Sequence, residues 1–105
     1  MKLLTKALLK QLPPLYATEG QPDPTVICKF FYPDFGWAWY AIEYDGTDIF
    51  YGFVDGDFPE LGYFSFKELC RTRGKLGLSL ERDLWFKPCP LSEVRAMIDK
   101  RHQGM

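Results

Sequence analysis

Leu3, Leu4, Ala7, Leu8 and Gln11 recur at the i, i+1, i+4, i+5, i+8 spacing of one helical face, while Lys2, Lys6 and Lys10 fall on another. The pattern predicts an amphipathic helix over residues 2–11. Leu12 ends it, because Pro13 and Pro14 follow and a residue before proline is pushed out of helical dihedrals. Gly20, Pro22 and Pro24 make residues 17–25 a loop. The period then changes from helical to alternating. Residues 26–32, 37–44 and 48–54 are rich in β-branched and aromatic side chains and read as three strands. A turn at residues 33–36 joins the first two, and Asp45-Gly46 marks a tight hairpin between the second and third.

Beyond residue 54 the pattern breaks up. Gly56, Pro59 and Gly62 predict an irregular connection, with Tyr63 and Phe64 adding a short edge strand. Ser65, with Glu68 three residues on, has the capping-box spacing and opens a short helix over residues 66–72. Residues 74–79 read as a loop and residues 84–86 as a last short strand, closed by Pro88 and Pro90. Val94, Met97 and Ile98 share a face of a terminal helix over residues 92–101, capped by Ser92 or begun directly by Leu91, with residues 102–105 as a frayed tail. The expectation is one α+β domain over residues 1–105: a three- to four-stranded antiparallel meander with an N-terminal, a short middle and a C-terminal helix.

Alternation along the strands sets a harder problem. In the second strand Trp37, Trp39 and Ala41 point one way, and Ala38, Tyr40, Ile42 and Tyr44 the other. In the third, Phe50, Gly52 and Val54 oppose Ile49, Tyr51 and Phe53. Both faces are apolar or aromatic, so helices must cover both or one face waits for a partner. Three short helices are expected to cover one face well and leave aromatic surface on the other.

Composition and charge sharpen this. Of the 18 aromatic residues, 15 lie in residues 30–66, which contain no lysine or arginine but seven carboxylates. The net charge of −1 hides a segment of −7 between ends of +2 and +4. A near-neutral chain gives no case for nonspecific nucleic-acid binding. Trp37, Trp39, Tyr51 and Tyr63 are the expected apolar contacts with a protein partner, and Asp45, Asp48, Asp55, Asp57 and Glu60 the expected polar ones. A sharper form has this acidic middle imitate DNA phosphates on a host enzyme.

Two alternatives use other chemistry. The same carboxylates suggest a metal-dependent hydrolase or nuclease, although no spacing matches a calcium loop and aspartate before glycine is ordinary turn chemistry. Arg71, Arg73, Lys75 and Arg82 suggest a nucleic-acid contact, against the simpler reading of a solvated helix end. No catalytic residue, metal ligand or cofactor site is assigned. Cys28, Cys70 and Cys89 form no CxxC pair, and the one histidine, His102, falls in the expected tail. An odd cysteine count without a continuous apolar leader reads as reduced thiols in the cytoplasm, and no stretch approaches a membrane span.

The strings at residues 1–5 (MKLLT), 12–16 (LPPLY), 29–31 (KFF), 37–40 (WAWY), 60–65 (ELGYFS) and 77–83 (GLSLERD) together resemble an uncharacterised bacterial family, the domain of unknown function numbered 2958. The match runs to about Pro90 and is weakest beyond it. The resemblance implies a small stand-alone or appended domain, frequent on plasmids and other mobile elements and found near transfer or anti-restriction genes. It supplies no catalytic residues.

Overall fold

The computed structural model describes residues 2–103. Helix α1 (Lys6–Gln11) is shorter than the leucine pattern predicts, because the Thr5 hydroxyl accepts from Leu8 N at 3.2 Å and caps it there. Leu3, Leu4 and Leu8 still pack on the core, the first two from outside the helix. The predicted first strand is split. Strand β1 (Thr25–Val26) ends before Ile27, and β2 (Cys28–Tyr32) turns into β3 (Phe35–Tyr44). Asp45-Gly46 forms the predicted tight turn into β4 (Ile49–Asp55), with Gly46 at φ +91°.

The edge strand β5 (Glu60–Ser65) is longer than two residues and runs directly into α2 (Phe66–Arg71), whose cap is the predicted one: Glu68 N donates to Ser65 Oγ at 3.2 Å. The last short strand lies earlier than expected. β6 is Glu81–Arg82, paired with Phe30 and Phe31, whereas residues 84–86 turn away. Asp83 diverts them, since its Oδ1 accepts from Trp85 N at 2.9 Å and its carbonyl from Phe86 N at 3.3 Å. Strand β7 (Cys89–Pro90) pairs with β1, and α3 (Leu91–Gln103) begins at Leu91 and ends two residues beyond the predicted helix end. Residues 104 and 105 lie outside the described residues.

The sheet has five antiparallel strands in the order β5-β4-β3-β2-β6, more than the three or four expected, beside the small β1-β7 pair. Its α+β character and three helices are as predicted. Helices pack on both faces of the sheet, while Phe35, Leu61 and Tyr63 stay exposed. On one face α1 and α2 enclose Phe30, Tyr32, Trp39, Phe50 and Phe64. On the other, Leu91, Val94 and Ile98 of α3 cover Val26, Ala38, Tyr40, Ile42 and Phe53. Each face thus has its own core, and the aromatic excess is spent on two rather than one.

One alternation is also corrected. Ala41 pairs with Gly52 and Glu43 with Tyr51, which leaves Ile42 as an extra residue between them. This bulge puts Tyr44 on the face of Trp39, where it stacks on Phe50 at 4.2 Å, and sends Ile42 and Glu43 together toward α3. Gly52 is required beside it: a Cβ there would lie 1.9 Å from the Tyr40 carbonyl oxygen.

Candidate functional site

Beside α2 the sheet leaves a groove of about 520 Å³. Its floor is a run of four rings. Phe35 and Trp37 have centroids 5.9 Å apart, Trp37 and Trp39 6.1 Å, and Trp39 meets Tyr32 edge-on at 5.6 Å. Trp39 is 8% exposed and belongs to the core, while Trp37 is half-buried and Phe35 exposed. The Tyr32 hydroxyl donates to the Leu69 carbonyl and ties the floor to α2. Gly56 supports the Trp37 ring from below, since a Cβ at Gly56 would come within 2.9 Å of it.

The far wall is the loop after α2. Asp34 Oδ2 accepts from Leu76 N at 2.6 Å and from Leu78 N at 3.2 Å, which fixes that loop over the β2–β3 turn. Arg73, Gly74 and Lys75 line the groove there. Arg73 Nη1 donates to the Cys70 and Thr72 carbonyls at 2.8 and 3.0 Å, closing the C-terminus of α2. The fold therefore joins two sets that are far apart in sequence, Trp37 and Trp39 from the aromatic set and Arg73 and Lys75 from the basic one.

The other residues singled out from sequence are dispersed. Asp45 Oδ1 accepts from the backbone N–H groups of Thr47, Asp48 and Ile49 at 2.8, 2.7 and 3.0 Å, and these bonds hold its carboxyl below the ordinary value of 3.8. Asp48 accepts from Lys67 N at 2.7 Å and from the Ser65 hydroxyl at 2.8 Å, and those bonds likewise lower its pKa. Asp55 is 3% exposed and ion-paired with Arg101 of α3, with His102 Nε2 3.5 Å away. Asp57 and Glu60 are exposed on the β4–β5 side. Asp45, Asp48 and Asp55 are thus occupied in a turn, a helix start and a helix anchor. Among the described residues no group of three or more His, Cys, Asp or Glu side chains converges as metal ligands would.

The basic set is divided too. Arg71 is exposed on α2, and Arg82 turns to the N-terminal segment, where its Nη1 donates to the Lys2 and Leu3 carbonyls at 2.9 Å each. Tyr51 packs on the α3-side core and its ring lies 5.1 Å from that of Tyr63, which also borders the tryptophan groove. The cysteines are unsuited to nucleophilic work: burial pushes the Cys28 thiol up to about 12, and raises those of Cys70 and Cys89.

Sequence reasoning missed Phe35, read as part of a turn, and Trp85, read as part of a strand but 91% exposed. It also missed Glu43, which is 2% exposed and accepts from Tyr16 N at 2.8 Å, from Thr18 N at 2.9 Å and from the Thr18 hydroxyl. A carboxylate inside a run of aromatic residues was the available signal. No helix among the described residues is long and apolar enough to cross a membrane.

No curated protein and no solved structure matches the chain. A family model described as "Protein of unknown function (DUF2958)" covers residues 3–103, nearly the whole chain, which therefore belongs to that family.

Proposed function

We propose that the protein is a non-enzymatic binding domain that holds a segment of a protein partner in the groove beside α2. The observation that carries this reading is the continuous run of rings from exposed Phe35 and half-buried Trp37 down to buried Trp39 and Tyr32, in a groove also lined by Arg73 and Lys75. Half-exposed tryptophan in a concave setting is the usual anchor of a protein interface, because a large rigid ring gains contact area at small entropic cost. Arg73 and Lys75 outnumber Glu68, the carboxylate that lines the same groove, so the wall favours a segment with an apolar or aromatic side chain next to an aspartate or glutamate. This moves the expected contact from an aromatic-acidic sheet face to an aromatic-basic groove. Imitation of DNA by the acidic middle has less support, since Asp45, Asp48 and Asp55 are engaged within the fold.

The wider setting in this reading is cytoplasmic, in an accessory protein of mobile DNA that acts on transfer or on host defence. Selection from a random peptide library on the immobilised protein tests the groove. Sequences pairing an aromatic with an acidic residue are expected to be enriched, to lose affinity for Trp37→Ala, and to be repelled by Lys75→Glu. No enrichment, or equal binding by Trp37→Ala, would remove the reading.

A second reading rests on the same juxtaposition. Aromatic rings beside cations also stack single-stranded bases and neutralise phosphates. It predicts binding of a labelled single-stranded oligonucleotide that weakens steeply with salt, whereas a groove for an apolar peptide anchor retains most of its affinity.

A further inference from the structure

On the α3 side of the sheet, the segment after α1 and the start of α3 border a second cavity of about 600 Å³, which shares Tyr63 with the tryptophan groove. Tyr16, Tyr51 and Tyr63 line it. The Tyr63 ring lies 5.1 Å from that of Tyr51 and 6.4 Å from that of Tyr16, tilted by 53° and 58°. The three rings are tilted against one another rather than stacked face to face. Glu19, Asp23 and Glu43 line the same cavity against the single cation Arg95, whose guanidinium carbon lies 4.8 Å from the centre of the Phe53 ring.

Tyr16 is held in an unusual conformation to reach this place. Its φ is +71°, the only positive value at a described residue other than glycine. That region is costly for a side chain with a Cβ and is ordinarily given to glycine or asparagine. The ring is 63% exposed, so core packing does not offset the strain. The buried Glu43 carboxylate, through Tyr16 N and Thr18 N, fixes the backbone in that shape. Strain concentrated at a ring that faces a cavity is a feature of ligand clamps.

We propose that this cavity receives a cationic side chain, the guanidinium of an arginine or the ammonium of a lysine, carried on a basic segment of a protein partner. The three tyrosine rings supply cation–π attraction, and Glu19, Asp23 and Glu43 supply the field that draws the cation in, Asp23 while accepting from Ser92 N and Oγ and Glu43 while accepting from Tyr16 N, Thr18 N and the Thr18 hydroxyl. Arg95 opposes entry, and the Phe53 ring beneath it gives it a resting place while the ligand is bound. Tyr63 borders both this cavity and the groove beside α2, so Tyr16→Gly and Arg95→Gln here, and Trp37→Ala there, are the variants that tell the two sites apart.

The test titrates isotope-labelled protein with capped pentapeptides, Gly-Gly-Arg-Gly-Gly, its lysine counterpart and its glutamate counterpart, while the tyrosine ring resonances are followed. The arginine and lysine peptides are expected to shift Tyr16, Tyr51 and Tyr63 saturably, and the glutamate peptide is not. Tyr16→Gly relaxes the backbone and is expected to melt no lower than the parent, yet to bind about three- to tenfold more weakly, as loss of one cation–π contact requires. Tyr63→Leu, at an exposed edge-strand position, is expected to weaken binding likewise, and Arg95→Gln to strengthen it. The proposal is overturned if the cationic peptides give no saturable shift, if the glutamate peptide binds as well, if both tyrosine variants bind as the parent does, or if Arg95→Gln weakens binding.

Discussion

At the scale of single residues, the chain assigns most of its conspicuous side chains to structure. Phe50 shows this best. It is fully buried, stacked between Tyr44 at 4.2 Å and Phe64 at 5.3 Å, and met edge-on by Phe30 and Phe66. Phe50→Ala should cost about 3–5 kcal/mol, a large share of the stability of a domain this size, and urea denaturation would measure it. The acidic turn residues give a pH signature instead. Asp45 and Asp48 have carboxyls held below their ordinary 3.8 by backbone N–H groups, so the native state binds fewer protons than the unfolded one near that pH. Their contribution is complete above the ordinary value and is lost as pH falls through the lowered one. A variant with both changed to Asn should show a flatter fall of the urea midpoint between about pH 5 and pH 2 than the parent. An unchanged slope would show that these bonds do not hold in solution.

At the scale of elements, local sequence signals were strongest where one short motif decides the backbone. The Asp45-Gly46 hairpin and the Ser65/Glu68 helix start were legible because the turn and the cap are set by the residues themselves. β6 was not legible. Two residues, Glu81 and Arg82, carry no alternation, and only Phe30 and Phe31 across the sheet make them a strand. The groove was legible in halves: tryptophans and basic residues were both visible, but their meeting depends on Asp34 clasping a loop more than 40 positions downstream. Gly56 belongs to this scale, since it joins the β4–β5 connection to the groove floor. Gly56→Ala should leave the fold intact but displace the Trp37 ring, which is free to tilt toward the open side. A changed tryptophan emission spectrum with a nearly unchanged melting temperature is the expected result.

At the scale of the whole molecule, the sheet packs against α1 and α2 on one side and α3 on the other, with aromatic surface left open beside them. The sequence showed that both faces were apolar but not that a 13-residue C-terminal helix would pack on one of them, with Leu91, Val94 and Ile98 against the sheet and its last turn anchored on Asp55 at the end of β4. That aspartate looked like a surface carboxylate in an Asp-Gly-Asp turn. Its burial follows from pairing with Arg101, whose side chain stays 55% exposed, so the bridge is only half removed from water. Asp55→Ala should therefore destabilise by about 1–3 kcal/mol, less than the loss of a wholly buried pair. Amide exchange should quicken first in α3, and equal quickening throughout the sheet would contradict the anchoring role.

Ile42 is supernumerary to the ladder, so its neighbours on either side already oppose the partners they would have in a straight strand. Excising that one codon should yield a shortened chain in which Trp39, Glu43 and Tyr44 keep their orientations and only an isoleucine side chain is missing from beneath α3. Excising Tyr40 instead would invert inside and outside for part of β3. The deletion lacking residue 42 is expected to fold with lowered stability, and the one lacking residue 40 to be recovered only as aggregate. A family that tolerates length change in this strand would be expected to do so at the bulge.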